Sequence, residues 1–391
     1  QLKQALLSLK KKPGLVFSVV STMGITLGGL LCVLTLAYVM LIKPLPYPEQ
    51  DRLYVVEHNI SDNKEGGIDV TEFTYPGLVH LFKNQRLFNE SALVYYGQDT
   101  LTSELEQPRM LTTYVTPQWF TMLDVSMELG RSFEQTEALD TNIPVAILTH
   151  NTWKNEFSAD ANILSKTVTF NKVSFRVIGV LAENFIEPEL SATGIKSQIF
   201  LPWDFNPVDP NIRNSWANIG ADKIFVGKLN SNLTQSQINQ ILTPLVNNTW
   251  QEKVAQDSFF NGWNIKIKAR TLQSVILGNR TDTVFLLLLG VIGLVLIACA
   301  NISNLFISRM AEKEQQLAIH VAVGATRSNV FKSIFVETGM LMLLSALFAL
   351  VIAFGGIFVM KIFLPQQLPR IDELTVNGST ILLAMGITLL I

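Results

Sequence analysis

Long apolar stretches without charge alternate with polar segments along this chain. No charged residue occurs from Gly14 to Ile42 or from Val284 to Ile307, and the run from Ile334 to Leu364 holds one charged residue near each end. A helix needs about 20 apolar residues to cross the hydrocarbon core of a membrane. The pattern therefore predicts three transmembrane helices, at 13–42, 284–307 and 334–364.

A fourth apolar run begins at Ser379 and continues to Ile391, and it predicts the start of a further transmembrane helix at 379–391. Because a chain does not stop inside a membrane-spanning helix, we expect the sequence to be part of a longer protein. The first apolar run has the basic flank of a signal peptide. Its apolar core is too long, however, and no small-residue cleavage pattern follows it, so we interpret it as a retained anchor.

Composition indicates a membrane protein. Apolar residues make up 48% and charged residues 16% of the 391 residues, whereas soluble domains carry about 25% charged residues. Two cysteines, Cys32 and Cys299, exclude a disulfide scaffold and a multi-cysteine metal module. The formal net charge of −2 gives no basic footprint for nucleic acid.

The distribution of charge predicts the orientation of the helices. The polar insert, predicted at 43–283, carries a net charge of −8 beyond Lys43, whereas the segment 308–333 has four basic and two acidic residues. Short positive loops stay in the cytoplasm, and long domains cross the membrane largely regardless of charge. We expect 308–333 in the cytoplasm, together with 1–12 as an amphipathic helix on the inner membrane surface. The insert and a loop at 365–378 are then on the outer side.

The pattern within the insert is mixed α and β. Alternating apolar residues predict strands, and an Asn-Lys pair between two of them predicts a hairpin. Thr234 and Gln237 form a capping-box pattern that predicts a helix start, and Pro244 is expected to kink the helix that follows. We expect an α+β domain with a β-rich part inserted at about 131–220. The predicted strands are Leu53–Glu57, Thr167–Phe170, Val173–Ile178, Ile224–Leu229 and Trp263–Ala269.

The sequence contains no recognisable pattern of catalytic or nucleotide-binding residues. It has no P-loop motif, so any ATP that drives the protein is bound by another chain. No Gly-x-Ser-x-Gly motif occurs, and the four histidines lack the spacing of a metal site. Charge is almost absent from the predicted transmembrane helices, which argues against a channel or an ion-coupled carrier.

Two further patterns indicate contacts between helices and with a partner. Small residues allow helices to approach closely, and we expect packing faces, within the chain or between two copies, at Gly24, Gly28, Gly290 and Gly293. The cytoplasmic segment predicts a short amphipathic helix, a break at Gly324, and a second helix that leads into the third transmembrane helix. Such a helix suits docking of a partner protein. The alternative is a helix that lies on the lipid surface.

Several short motifs resemble those of a known family. Their order and spacing are similar to those of MacB-type ABC transporter permeases, a group that also includes the LolC/LolE and FtsX proteins. The similarity is closest to the duplicated orphan permease branch, and it covers nearly the whole chain. The motifs are LIKPLPYP at 41–48, LGRSF at 129–133, PVAILTHNTWKNEF at 144–157, FRVIGVL at 175–181, IACANISNLFISR at 297–309 and AVGATR at 322–327.

The resemblance implies a fold and a function. The fold is a membrane α-helical protein of the type VII, MacB-like class, with a large α+β periplasmic domain between the first two transmembrane helices. This domain has a Porter-like part and a Sabre-like part, the latter at about 131–220. The function is that of a non-catalytic permease subunit. It transmits ATPase-driven motion across the bacterial inner membrane (mechanotransmission) for export or extraction of a substrate.

The resemblance also implies partners. ATP and Mg²⁺ bind to a separate cytoplasmic ABC ATPase, and this chain itself holds no cofactor. A second permease unit is expected, as a homodimer or as a tandem duplicate. The other expected partners are membrane lipid and a periplasmic adaptor or substrate protein. Nucleic acid is not an expected partner. Peptide, lipoprotein, lipid and drug all stay open as substrates.

By the same resemblance, six residues of the cytoplasmic segment couple the chain to the ATPase. The family usually carries an acidic and a basic residue one turn apart, where this chain has Gln316 and His320. This departure favours an alternative, an orphan FtsX-like scaffold or regulator that binds envelope proteins without an ATPase. A membrane-anchored periplasmic enzyme is a third interpretation. The six candidate coupling residues are Glu314, Gln316, Ile319, His320, Gly324 and Arg327.

Overall fold

A computed structural model divides the chain into two compact units, one at 45–278 and one that combines 1–44 with 279–391. We call them the polar unit and the helical unit. Segment 1–12, most of 308–333 and most of 379–391 lie outside the described residues. The described residues are 13–62, 69–104, 106–137, 139–191, 196–220, 223–278, 327–364 and 370–376, with short pieces between 286 and 308 and between 378 and 382.

Helices occur in both units. They are α1 (Pro13–Leu41), α2 (Tyr75–Asn84), α3 (Gln118–Met122), α4 (His150–Asn155), α5 (Pro210–Asn214), α6 (Gln235–Val254), α7 (Leu272–Leu277) and α8 (Arg327–Phe363). The described residues between 286 and 308 are helical as well.

Two helices of the helical unit have the length and composition of membrane spans. Val16–Leu41 within α1 and Gly339–Phe363 within α8 have mean hydropathies of 2.1 and 2.6. At 1.5 Å per residue, the 37 residues of α8 extend over about 55 Å. A hydrocarbon core is about 30 Å thick, so α8 is longer than a single membrane crossing requires.

The polar unit contains thirteen described strands. They are β1 (Leu53–Ser61), β2 (Asp69–Val70), β3 (Phe73–Thr74), β4 (Phe88–Thr100), β5 (Arg109–Val115), β6 (Met127–Gly130), β7 (Val145–Leu148), β8 (Thr167–Phe170), β9 (Val173–Leu181), β10 (Ile199–Pro202), β11 (Ile219–Gly220), β12 (Lys223–Leu229) and β13 (Asn264–Thr271). Eleven of them form one sheet, and β3 and β11 form a separate pair.

The large sheet is mixed. Its order is β13-β1-β12-β4-β5-β10-β7-β9-β6, with β2 on β1 and β8 on β9. Neighbours are antiparallel except for β5 with β10 and β7 with β9. The parallel pairing of Ile199–Pro202 with Thr112–Val115 joins the predicted 131–220 part to the other strands. Both parts of the polar unit therefore share one continuous sheet.

The strands, the hairpin and the helix start predicted for the polar unit are present. All five predicted strands occur, in β1, β8, β9, β12 and β13, except that β13 begins at Asn264, one residue after the predicted start at Trp263. Asn171 and Lys172 connect β8 to β9 in the left-handed region, with φ of 49° and 68°, as a two-residue hairpin requires. Thr234 and Gln237 form the expected capping box at the start of α6, which continues across Pro244.

The inner strands of the large sheet are buried on both faces. In β1, Leu53 and Val55 belong to one hydrophobic cluster, and Tyr54 and Val56 to another on the opposite face. This division follows from the two-residue period of a strand. Helix α6 covers the second face, where Trp250 is 1% exposed.

Side chains of α6 satisfy the outer backbone groups of the edge strand β13. Backbone N–H groups of β13 donate to Asn239 Oδ1, Thr243 Oγ1 and Asn247 Oδ1 at 2.7, 3.0 and 2.7 Å. These acceptors repeat every four residues, which places them on one face of the helix. The donors repeat every two residues along the strand and are those of Ala269, Ile267 and Ile265.

Replacement of Thr243 by valine tests this pairing. The variant keeps the shape of the side chain but leaves the Ile267 N–H group without its acceptor. Loss of such a partner costs about 1–3 kcal/mol, and we expect that decrease in the free energy of unfolding, measured by tryptophan fluorescence in urea. Thr167→Val in β8, where the side chain is exposed, is the matched control. Equal stability of the two variants would contradict the assigned role.

Candidate functional site

The first candidate site is the contact between α1 and α8, where glycines allow close approach. A Cβ atom on Gly28 would lie 2.6 Å from Ile352 Cβ and 2.8 Å from the Ala349 carbonyl oxygen. A Cβ atom on Gly24 would overlap the ring of Phe348. The surfaces of the two helices therefore leave no room for a side chain at either position.

A third contact fixes the direction of the two helices. A Cβ atom on Gly356 would lie 2.7 Å from the Cys32 Sγ atom, and Cys32 Sγ is 3.4 Å from the Ala353 carbonyl oxygen. Residue numbers increase together along both helices, from Gly24 beside Phe348 to Cys32 beside Gly356. Helices α1 and α8 are therefore parallel, as an alternating three-span arrangement requires of its first and third helices.

The structure places the other sequence-predicted residues as follows. A Cβ atom on Gly290 or Gly293 would have no described atom within 4 Å, so the packing role of these two glycines stays a prediction. Arg327 is the first residue of α8, which continues without interruption to Phe363. The other candidate coupling residues lie outside the described residues, namely Glu314, Gln316, Ile319, His320 and Gly324.

A cluster of charged side chains contacts the C-terminal end of α1. This cluster was not predicted from the sequence. We call Lys43, Arg370 and Glu373 the Arg370 cluster. Arg370 and Glu373 are each 5% exposed. Arg370 Nε and Nη2 donate to the two Glu373 carboxylate oxygens at 2.7 and 2.8 Å, and Lys43 Nζ lies 3.0 Å from Glu373 Oε2. Burial opposes ionisation of Glu373, but hydrogen bonds from both cations hold its pKa below the ordinary value.

The remaining Arg370 donors bind the backbone of the chain that leaves α1. Nη1 donates to the carbonyl oxygens of Val39 and Lys43 at 2.7 and 2.8 Å, and Nη2 donates to that of Pro44 at 2.9 Å. The last carbonyl groups of a helix have no partner within the helix. All five N–H groups of the guanidinium are thus in use, three of them at the end of α1.

A second candidate site is a cleft in the polar unit. Its volume is about 410 Å³, and it lies between α2, α5 and residues 139–140 and 204. Lys83 Nζ is 2.6 Å from Asp140 Oδ2, and Arg213 lies over the Tyr75 ring at 5.4 Å. Asp204 accepts hydrogen bonds from three backbone N–H groups of the 140–142 loop. Lys83 and Asp140 form an ion pair, whereas Asp204 and Arg213 bind backbone groups of the protein.

A half-buried carboxyl group of the polar unit has a shifted pKa. Glu187 accepts hydrogen bonds from the backbone N–H and the hydroxyl of Ser197, at 2.8 and 2.5 Å. The Ser197 hydroxyl also contacts that of Thr113. Burial raises the pKa of Glu187 to about 7, against the lowering effect of the Ser197 hydrogen bonds.

The described histidines do not converge. His58 is fully buried, and burial lowers its pKa to about 3. His80 contacts Asn84 and Thr249, and His150 contacts Glu128. Among the residues that the structure describes, no group of three histidine, cysteine or acidic side chains could hold a metal ion.

Comparison with known families matches nearly the whole chain. Residues 18–245 match the MacB-like periplasmic core domain, and residues 288–391 match the FtsX-like permease C-terminal region. Together they define the class of protein: the chain is an ABC transporter permease of the MacB/FtsX type. It belongs to the MacB-like periplasmic core domain family, and the resemblance seen in its motifs is confirmed.

Curated relatives carry the MacB name. The chain is 24% identical over 251 residues to the macrolide export ATP-binding/permease protein MacB of Salmonella paratyphi A, and over 252 residues to that of Escherichia coli K12. Each alignment covers 64% of this chain and 36% of the relative. The chain therefore spans about a third of the length of these relatives.

Two solved structures of similar proteins each cover more than half of the chain. The periplasmic region of MacB from Actinobacillus actinomycetemcomitans is 15% identical, with a TM-score of 0.39, over 60% of this chain and 95% of that one. A domain of a putative permease from Porphyromonas gingivalis is 13% identical, with a TM-score of 0.42, over 57% and 91%.

A cross-link tests the parallel packing of α1 and α8. Gly356→Cys places a second thiol beside Cys32, and we expect a disulfide between them in membranes treated with copper phenanthroline. Gly355→Cys is the matched control, because no described atom lies within 4 Å of a Cβ at that position. Both variants carry Cys299→Ser. The packing would be wrong if Gly355→Cys formed the bond as readily as Gly356→Cys.

The raised pKa of Glu187 predicts a pH dependence of stability. A glutamate in an unfolded chain has a pKa of about 4.3, whereas folded Glu187 keeps its proton to about pH 7. Between these values the folded state binds more protons, so the free energy of unfolding decreases as pH rises. Melting temperatures at pH 5 and pH 8 measure the change.

Glu187→Gln should reduce this pH dependence, because the amide stays neutral throughout. The control is Glu156→Gln, which alters an exposed carboxyl group on the same unit. A pH dependence that is the same in Glu187→Gln as in the unaltered protein would show that another group is responsible.

Proposed function

We propose that this chain is the permease subunit of a MacB-like system that transmits ATPase-driven motion across the bacterial inner membrane. Its N-terminus and the 308–333 segment are cytoplasmic, and the polar unit is periplasmic. The motion acts on a periplasmic or membrane substrate, in export or extraction. ATP and Mg²⁺ bind to a separate ABC ATPase, and a second permease unit completes the assembly.

The observation that carries this proposal is the continuous helix α8 packed in parallel against α1. Helix α8 begins at Arg327, within the segment proposed to meet the ATPase, and runs through the whole apolar stretch to Phe363. Displacement at its N-terminal end is passed along the helix, because a helix is rigid over this length. The glycine contacts then transfer it to α1, whose chain continues directly into the polar unit at Leu45.

The composition of the two helices also supports motion rather than conduction. Helix α1 has no charged residue, and Gly339–Phe363 in α8 has one, Lys361 near its end. Ion and proton pathways place ionisable groups inside the membrane. The described helices offer none at mid-span, so a substrate path through them has little chemical support.

A second function is favoured by one observation. Gln316 and His320 stand where MacB-like permeases usually carry an acidic and a basic residue. An uncharged pair would weaken docking that relies on charge. The second candidate is therefore an FtsX-like scaffold or regulator that binds envelope proteins without an ATPase.

Purification of the full-length protein from its native membrane in mild detergent tests the proposal. We expect an ATPase chain with a P-loop to co-purify in stoichiometric amount, identified by mass spectrometry. An assembly without an ATPase, under conditions that preserve related transporters, would favour the scaffold.

Gly324→Leu in the co-purified complex then tests the coupling segment. We expect ATP hydrolysis to continue while the ATP-dependent change in protease sensitivity of the polar unit is lost. Gly339→Leu is the matched control, because no described atom lies within 4 Å of a Cβ at Gly339. An unchanged ATP response in Gly324→Leu would count against the coupling role of this segment.

A further inference from the structure

The Arg370 cluster connects two points of the chain that are far apart in sequence. Arg370 lies seven residues beyond the end of α8, and the carbonyl groups of Val39, Lys43 and Pro44 form the end of α1 and the short link to the polar unit. Because α1 and α8 are parallel, their C-terminal ends lie on the same side of the helical unit. Lys361 Nζ, in the last turn of α8, donates to the Asp372 carbonyl oxygen at 3.1 Å, so segment 370–373 contacts the ends of both helices.

A cap for α1 alone would not require this arrangement. Helices usually satisfy their last carbonyl groups with nearby residues, such as a glycine or a basic side chain in the last turn. Helix α1 has no basic residue in its last turn. The donors come instead from a residue more than 320 positions later, which Glu373 holds in a fixed orientation by a two-point contact. A bidentate arginine–carboxylate pair restricts geometry more than a single contact does.

The burial of the cluster makes the connection costly to break. Arg370 and Glu373 side chains are 3% and 2% exposed. If the end of α1 separated from Arg370, the carbonyl groups of Val39, Lys43 and Pro44 would lose their donors, and Glu373 would lose its contact with Lys43. Buried polar groups without partners are strongly unfavourable. The two ends are thus held together by a contact that opposes separation while the helices are packed.

We infer that Arg370 is a positioning residue that makes the C-terminal ends of α1 and α8 move as one body. Displacement of α8 then reaches Pro44, the last residue before the polar unit. Relative movement of the two helix ends does not reduce that displacement. The inference rests on the proposed function for the origin of that displacement. The contacts of Arg370 with the end of α1 do not depend on any partner chain.

Distance measurements between spin labels test the connection. Ile42 and Phe363 are 70% and 72% exposed, and labelled cysteines at these positions report the separation of the two ends in lipid nanodiscs. The background is the full-length protein with Cys32→Ala and Cys299→Ser. The variants are Arg370→Gln, Arg370→Lys and, as matched control, Arg52→Gln. Arg52 forms an ion pair with Glu49 that is partly exposed.

We expect the distance distribution of Arg370→Gln to be about twofold wider than that of the parent, because the contact that opposes local separation is lost. Arg370→Lys should also be wider, because lysine has three donors on one atom and does not reproduce the planar fork of arginine. Arg52→Gln should match the parent. An unchanged width in Arg370→Gln would overturn the inference.

A general loss of stability would widen the distribution for a different reason, so packing is measured in parallel. Arg370→Gln is combined with Gly356→Cys in a chain that keeps Cys32 and carries no labels. A disulfide that forms as in the parent shows that the helices remain packed and that the change is confined to their ends. Failure of the disulfide in Arg370→Gln alone would show a merely structural role and would also overturn the inference.

The outcome can be separated from that of the proposed function. The distance measurement needs no nucleotide and no ATPase, so it decides whether Arg370 connects the ends even if the chain is a scaffold. With a co-purified ATPase, Arg370→Gln should hydrolyse ATP while its polar unit shows a reduced ATP-dependent change in protease sensitivity. If Arg370→Gln widened the distance distribution but kept the full ATP-dependent change in protease sensitivity, the role of Arg370 in transmission would be refuted. The proposed function would not be affected.

Discussion

The close approach of α1 and α8 is the contact on which the described helical unit depends. Apolar side chains gain little when they leave lipid for another apolar surface, so helices within a membrane are held by close packing and by polar contacts. Gly28 allows the two backbones to meet, since a side chain there would overlap Ile352 and the Ala349 carbonyl. The register set at this point brings Cys32 to Ala353 and the end of α1 within reach of Arg370.

Local patterns in the sequence predicted five of the thirteen described strands, the β8–β9 hairpin and the start of α6. Each depends on residues that are neighbours in sequence, so alternation and turn residues are sufficient to identify it. The Arg370 cluster could not be predicted in this way. Its partners are more than 320 residues apart, and an arginine three residues before a glutamate is too common a pattern to indicate a buried pair.

The polar face of α6 shows a different limit. Asn239, Thr243 and Asn247 recur every four residues, as they would on a face exposed to water. In the folded chain they accept hydrogen bonds from an edge strand. Sequence alone does not distinguish these cases, because the strand that provides the donors follows only after the helix ends. The glycine pattern is similarly incomplete, since it marked Gly24 and Gly28 as contact positions but did not identify α8 as their partner.

The position of β1 beside β13 determines how the polar unit is attached to the rest of the chain. The first long strand and the last are antiparallel neighbours, and Tyr54 near the start of one pairs with Thr271 at the end of the other. The two ends of the polar unit therefore lie next to each other at one end of the β1–β13 pair. A domain with adjacent ends can be replaced by one of a different size without changing the distance between the two chain segments that lead into and out of it. Because the two ends lie at the same end of an antiparallel pair, tension applied between them would open the β1–β13 ladder one bond at a time.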